Sequence, residues 1–570
     1  MNFRHTYKLV IRNTSIFNLK ITACIILIIF EGLLTSISVA SILPFSNVIL
    51  GNFNENVNLP ILGNFFERVI RLNPLLIILL ISLLLFLKSI ITLLRIALSI
   101  KISVDAKAKW IENMMGYVTH NHLKEILKSE EGHKFSDIYN LPMISASFLV
   151  SGFGYISYII QAISILIIMF FVQWEILLIG IFVISVFYFF LHKPYTNLAS
   201  TMGLRTISFK QSIFSYIYDS IRNIRDVKIF NLHNIITKQL GRLLNNEKNL
   251  EFRKQFINAL PSYSSELIAS IILIIIYFIF TGLTQENIQG ILPKLILFTF
   301  GLQKLLSIGA TIASLNFKIV TQLKSFELMD KIILESKDEF KNLPKKDVPV
   351  IKGNIKLSEL TFFYNHNQKI LDNINLIIPL QKLIFFVGQS GSGKSSLMDI
   401  ICKLREPNKG IISLNNFNIA NYNLKKWRKR ISYVSQEPTF FAGTILENIT
   451  LFNNKISLKE VRYYAKFLDC DQFINAKPEK YNTVLTSSAS NLSGGQKRRI
   501  ALIRSLIRKP NILILDESLS SVDEKLEINI IKKLKQIKNL SIFFVTHRTT
   551  SINLADEVFL FKNKNIFKKL

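Results

Sequence analysis

The sequence predicts two parts of different class: an all-α transmembrane part of six helices extending into the cytoplasm, then an α/β part. Three observations predict this. Of the 570 residues 49% are hydrophobic, with a mean hydropathy of +0.33, more than a water-soluble chain carries. The apolar residues concentrate in the first half, in runs long enough to cross a bilayer, about 20 residues each. The second half instead alternates short β-branched runs, KLIFFVG, ISYVSQ, ILILDE and SIFFVTH, with helical stretches.

Six spans are expected, at about 20–43, 75–98, 146–171, 174–192, 265–283 and 290–314. The third and fourth meet at VQWE and the fifth and sixth at GLTQENIQ, so each pair reads as a hairpin. The longer stretches, about 99–145 and 193–264, carry Lys101, Lys107, Lys109, Lys193, Arg205, Arg222, Arg225 and Lys228, which places them in the cytoplasm. There SIFSYIYDSIRNIRDVKIFNLHNIITKQL shows apolar residues at helical spacing, so the helices continue below the membrane. The basic start of the first span, its apolar centre and the small residues Ser38 and Ala40 also describe a secretory signal peptide. Its long lead and length argue against that, and six spans keep both chain ends in the cytoplasm.

The charged segment SKDEFKNLPKKDVPVIK divides the chain into a transmembrane domain at 1–335, a linker at 336–352 and an α/β domain at 353–570. The closing NKNIFKKL reads as a frayed tail. The formal charge of +30, from 69 Lys and Arg against 39 Asp and Glu, is scattered rather than gathered in a stripe, so no nucleic-acid partner is expected. Cytoplasmic loops facing anionic lipid gather such charge. Cys24, Cys402 and Cys470 have no paired spacing and support neither a disulfide framework nor a zinc site.

KLIFFVGQSGSGKSSLMDII sets an apolar strand before G-Q-S-G-S-G-K-S and a helix after it, the setting of a phosphate-binding loop. The backbone N–H groups of Gly388, Gln389, Ser390, Gly391, Ser392, Gly393, Lys394, Ser395 and Ser396 can turn inward onto phosphate. Lys394 reaches the β and γ phosphates and Ser395 can ligate magnesium. NILILDE ends a buried strand in two carboxylates: Asp516 to hold Mg2+, and Glu517 to polarise an attacking water. His547 closes the strand SIFFVTH and can reach a γ-phosphate. The second half is thus read as an α/β P-loop NTPase domain.

These residues resemble the ATP-binding cassette transporters, specifically half-size exporters with six membrane helices ahead of one nucleotide-binding domain. The resemblance covers nearly the whole chain and implies ATP and Mg2+ as ligands, an ATPase coupled to transport, and a dimer. NLSGGQKRR resembles the family's signature motif, so Ser493, Gly494, Gly495 and Gln496 would cover the γ-phosphate held by the partner's phosphate loop. The motif precedes the helical run KRRIALIRSLIRK, and a helix N-terminus receives anions. Tyr364 resembles the aromatic on which adenine stacks, although strand packing beside Phe362 and Phe363 also accounts for it. Gln436 in YVSQEP resembles the glutamine that senses magnesium and water, and Asp523 the loop that crosses to the partner cassette. YDSIRNIRDVKIFN resembles the second intracellular loop, and HKFSDIYN at 133–140 sits where a first short coupling helix falls. Ser487 stands where exporters usually carry a glutamate, and Ser521 and Val522 depart from the usual crossing loop.

The implied activity is ATP-driven export or flipping of an amphipathic substrate across the bacterial cytoplasmic (inner) membrane, by a homodimer, or alternatively a heterodimer, with its cassettes in the cytoplasm. Glu31, Lys88 and Arg95 lie within the first two spans, where a charge costs roughly 3 kcal/mol. Glu31 is expected to pair with Lys88, with Arg95 near the cytoplasmic end; alternatively the cations face an anionic amphiphile. SSLMDIICKLREPNKG and YVSQEPTFFAGTILENI resemble lipid-linked oligosaccharide flippases and occur across multidrug exporters too. Lipid or lipid-linked glycan therefore ranks first as cargo, hydrophobic drug or peptide second. A soluble cassette ATPase acting on nucleic acid would share the ATP chemistry but not the apolar spans.

Overall fold

The computed structural model describes residues 10–14, 17–49, 74–120, 131–172, 174–283, 288–341, 344, 346–364, 369–486, 489–519, 524–547, 551–562 and 564–569. The chain forms two compact units, the first ending at Asp338 and the second running from Glu339 to Leu570.

The described part of the first unit is helical: α1 Asn18–Ala40, α2 Ile42–Ile49, α3 Pro74–His120, α4 Glu131–Val172, α5 Trp174–Arg222, α6 Ile224–Ile229, α7 His233–Leu283 and α8 Ile288–Lys341. Among the described residues four stretches are long and apolar enough to cross a membrane: Asn18–Ser46, Ile78–Thr119, Ser136–Phe171 and Ile296–Glu335. The expected spans at about 174–192 and 265–283 fall in α5 and α7, where most side chains lie outside the described residues. At 1.5 Å per residue the longest helices reach roughly 60–80 Å, about twice the hydrocarbon thickness of a bilayer. Their polar halves therefore continue past the membrane. The stretch YDSIRNIRDVKIFN, residues 218–231, contains the short α6, whereas residues 133–140 are the opening turns of α4 and not a separate short helix.

Lys20 binds Asp105 at 2.6 Å, which fixes the register of α1 against α3. Running antiparallel from that pair, Glu31 falls opposite residues 92–95, one to two turns past Lys88. The expected Glu31–Lys88 pair is accordingly replaced by an ion pair of Glu31 with Arg95, 2.6 Å apart and almost inaccessible. The hydroxyls of Thr92 (2.9 Å) and Ser157 (2.8 Å) donate to the same carboxylate, and Gln161 donates to Ser157, so α1, α3 and α4 meet at one polar clamp. Beside it a Cβ on Gly32 would lie 2.6 Å from the Ile160 side chain, so only glycine admits α4 this close. Glu31→Leu leaves Arg95 buried without its carboxylate, and the expected loss is about 3–5 kcal/mol. Thermal melting in detergent should show a large fall for Glu31→Leu and a partial recovery for Glu31→Leu with Arg95→Met.

The described residues of the second unit carry twelve strands: β1 Asn354–Phe363, β2 Lys369–Pro379, β3 Leu383–Gly388, β4 Lys409–Leu414, β5 Phe417–Asn418, β6 Ile431–Val434, β7 Gly443–Thr444, β8 Val484–Leu485, β9 Ile512–Asp516, β10 Ser541–Thr546, β11 Glu557–Lys562 and β12 Asn565–Lys569. An antiparallel sheet has the order β2-β1-β4-β5, and a larger sheet the order β12-β11-β3-β10-β9-β6. Within the larger sheet all pairings except β11–β12 are parallel. Its helices are α9 Lys394–Ile401, α10 Leu424–Lys429, α11 Ile445–Thr450, α12 Leu458–Phe467, α13 Asp471–Asn475, α14 Gly494–Leu506 and α15 Glu524–Lys535.

Strands β9 and β10 are buried along their whole length, which explains their unbroken apolar runs. Alternate side chains feed two cores: Phe385 stacks on Phe544 on one face, and Phe386 meets Phe543 edge-on on the other. Within 336–352, α8 continues to Lys341, Lys346 bridges to Tyr422, and Ile351 is buried in the second unit's core. The C-terminus is not frayed: β12 pairs with β11 from Val558–Lys569 to Lys562–Asn565, and Lys568 binds Glu557 at 3.0 Å. The left-handed Lys564 makes the tight turn that the lysine-rich composition concealed.

Lys403 follows α9, and its ammonium donates to the carbonyls of Ile419, Ala420 and Tyr422 at 3.0, 3.2 and 3.0 Å. Burial, then the Arg428 guanidinium, pushes it down to about 8, so at neutral pH the three bonds remain charged. Lys403→Met should cost about 2–3 kcal/mol, checked as a lower melting temperature at pH 7.

Candidate nucleotide site

Three parallel strands end at one edge of the large sheet. Val387 pairs with Thr546 and Val545 with Asp516, so Gly388, Glu517 and His547 emerge side by side. Ligands of open α/β sheets bind at such carboxyl ends.

From β3 the chain turns through Gly388–Gly393 into α9. Gly393 has φ +98°, a conformation L side chains resist, and a Cβ there would lie 2.9 Å from Leu371. As N-cap of α9 it offers no side-chain acceptor, so the first N–H groups of the helix are left for an outside anion. The Ser392 hydroxyl is buried with no hydrogen-bond partner among the described residues. Lys394 folds over the loop, donating to the carbonyls of Gly388 (2.8 Å) and Gln389 (2.7 Å). Burial lowers its pKa, opposed by Glu517 and Asp516. A bare helix end, an orphaned hydroxyl and a desolvated ammonium fit phosphate. Ser395 is exposed and Ser396 buried, the latter bonding the Tyr364 hydroxyl at 2.9 Å. Tyr364 lies just past β1, 46% exposed, with the Arg405 guanidinium 4.7 Å from its ring centre.

Asp516 is buried at the end of β9, and Tyr433 on β6 donates its hydroxyl to Oδ2 at 2.5 Å. Glu517 is left-handed, φ +47°, and its N–H donates to the Val545 carbonyl. Its Oε2 accepts from Gln436 Nε2 at 3.0 Å, and its Oε1 lies 3.2 Å from His547 Nδ1. Phosphate loop, Asp516, Glu517, Gln436 and His547 thus form one group. Among the described residues no cluster of three or more His, Cys, Asp or Glu could hold a metal. The hydroxyl of Ser395 and the carboxylate of Asp516 are hard oxygen donors, the kind that magnesium takes beside phosphate and water.

Ser493, Gly494, Gly495 and Gln496 form the start of α14. The Ser493 hydroxyl accepts from the Gln496 N–H, and the Gln496 side chain accepts from the Ser493 N–H, closing a capping box. A Cβ on Gly494 or Gly495 would meet nothing within 4 Å. About one and three turns in, Arg498 and Arg504 tie α14 to the carbonyls of Gln436 and Thr439. Asp523, Ser487, Ser521 and Val522 lie outside the described residues. The sequence reading missed Tyr433, Arg405 and Asp399, the last bound by Arg405 at 3.2 Å and raised in pKa chiefly by burial. A tyrosine inside a strand and an aspartate inside a helix carry no signal of their own.

A phosphate loop on a parallel sheet, following a unit of membrane-length helices, defines a membrane protein with a nucleotide-binding domain. The ABC transporter transmembrane region matches residues 22–304, and the ABC transporter domain matches 371–520. The chain belongs to the ABC transporters, with membrane region and cassette in one polypeptide. A bacterial Atm1-family ABC exporter with ATP bound shares the fold, with a TM-score of 0.82 at 19% identity over 97% of this chain and 95% of that one. A Rickettsia typhi protein described as an export ATP-binding/permease protein is 30% identical over 63% of this chain and 62% of its own. ABC transporter B family member 29, chloroplastic, of Arabidopsis thaliana is 36% identical over 37% of this chain and 34% of its own. The multidrug resistance-like ATP-binding protein MdlA of Buchnera aphidicola is 36% identical over 40% and 39%. The chain thus spans about a third to under two thirds of the length of these relatives.

Proposed function

We propose that the protein is an ATP-driven exporter or flippase of an amphipathic substrate, a lipid or lipid-linked glycan, working as a homodimer in the bacterial cytoplasmic membrane with its cassettes in the cytoplasm. One observation carries the reading: Gly494 and Gly495 begin α14 with open space where a side chain would sit, so this chain's own packing does not require them. Their smallness serves something that arrives from outside, a triphosphate on a second copy's phosphate loop. In this reading Tyr364 stacks on adenine, Gly388–Ser396 wrap the phosphates and Asp523 faces the partner. Ser395 and Asp516, with Gln436, would hold magnesium, which would supply neutralisation of phosphate charge. Glu517 takes the proton of the attacking water, and Gln436 and His547 hold its carboxylate ready.

The cargo assignment rests on charge. Glu31 is committed to Arg95, Thr92 and Ser157, which leaves Lys88, on the same stripe of α3, with no ion pair among the described residues. Lys304 of α8 and Glu31 of α1 are both near enough for their charges to act on Lys88. Such a place suits an anionic head group. The name of the Buchnera relative favours a second reading, a multidrug exporter.

Reconstitution in vesicles tests this. ATP should drive movement of a labelled phosphatidylglycerol more than of a neutral drug-like dye, and Lys88→Met should reduce only the former, several-fold. Equal movement with and without ATP would refute transport, and dye movement alone would favour the second reading.

A further inference from the structure

The proposed site leaves one short contact without a role. Tyr433 stands on β6 beside β9, level with Ile514, and its side chain reaches along the strand to the Asp516 carboxylate, with Oη 2.5 Å from Oδ2. An ionised carboxylate accepts only, so the phenol is the donor. Charge-assisted O–H···O⁻ bonds of this length are the strong kind, and they fix the plane of the carboxylate. The rest of the neighbourhood is occupied elsewhere, since Asp399 is bound by Arg405 and the Glu517 oxygens face Gln436 and His547.

We infer that Tyr433 is a positioning residue for the divalent cation: by occupying Oδ2 of Asp516 it turns Oδ1 toward the phosphates as the metal-binding oxygen. This rests on the reading of Asp516 as the metal-holding carboxylate. Groups that orient a ligand in this way usually matter nearly as much as the ligand, and their loss weakens metal binding about tenfold or more. Nothing in the sequence marks Tyr433, because a tyrosine in ISYV reads as an ordinary strand residue.

The test titrates Mn2+ into full-length protein in detergent with a non-hydrolysable ATP analogue, following the bound ion by electron paramagnetic resonance. Tyr433→Phe should raise the half-saturating Mn2+ about tenfold. Its affinity for the analogue in EDTA should equal that of wild type, which a merely misfolded variant would not match. If Asp516→Asn raises the Mn2+ requirement and Tyr433→Phe does not, the inference about Tyr433 is wrong while the site reading stands. If neither changes it, the assignment of Asp516 falls and takes this inference with it. Should Tyr433→Phe lose the analogue in EDTA, 3-fluorotyrosine at 433 decides: its fluorine resonance should move when Mg2+ is added to the analogue-bound protein, and a stationary resonance overturns the proposal.

Discussion

Glu517→Gln is expected to lower ATP turnover by about 10²- to 10⁴-fold, the usual contribution of a general base, while ATP still binds. The carboxylate is held ready by Gln436 and His547, and its residue occupies a left-handed conformation that costs about 1–3 kcal/mol in a non-glycine residue. That turn separates Glu517 from Asp516, so that neighbours in the chain serve different tasks. Glutamine keeps the shape and one acceptor but has no basic oxygen. Phosphate release and equilibrium binding of a fluorescent ATP analogue measure the two quantities separately. Turnover within threefold of wild type would show that another group accepts the proton.

Gly494→Asp should cut turnover about 100-fold or more, since it sets a carboxylate where a triphosphate has to approach, yet leave the melting temperature unchanged or raised. Glycine in a helix is less favourable than most residues by up to about 1 kcal/mol, and here no neighbour would be displaced. Tagged mixed dimers make the geometry decisive. With Lys394→Ala in one protomer and Gly494→Asp in the other, one composite site stays intact and roughly half the activity should remain. With both substitutions in one protomer beside a wild-type partner, both sites are damaged and activity should vanish. The opposite pattern would mean that each chain completes its own site.

The phosphate loop was legible because its chemistry is local: glycines, lysine and serine at fixed spacing between a strand and a helix suffice to identify it. The two-part fold was legible from hydropathy and from apolar strands long enough to be buried on both faces. The partner of Glu31 was not, because it depends on the register of α1 against α3, set eleven residues away by Lys20 and Asp105. Equally hidden was the hairpin of β11 and β12, whose lysine-rich strand is stabilised by pairing and by Glu557 rather than by burial. Residues 133–140 misled through resemblance: their residue types suit a short loop helix, but nothing in them stops α4 from running on.

The hydroxyl of Ser493 divides its duties. One lone pair takes the Gln496 N–H and keeps the first turn of α14 wound, while its own hydrogen can swing outward to an incoming oxygen. In the proposed dimer this turn would be rigid before a nucleotide reached it, and making that contact would dismantle nothing already formed.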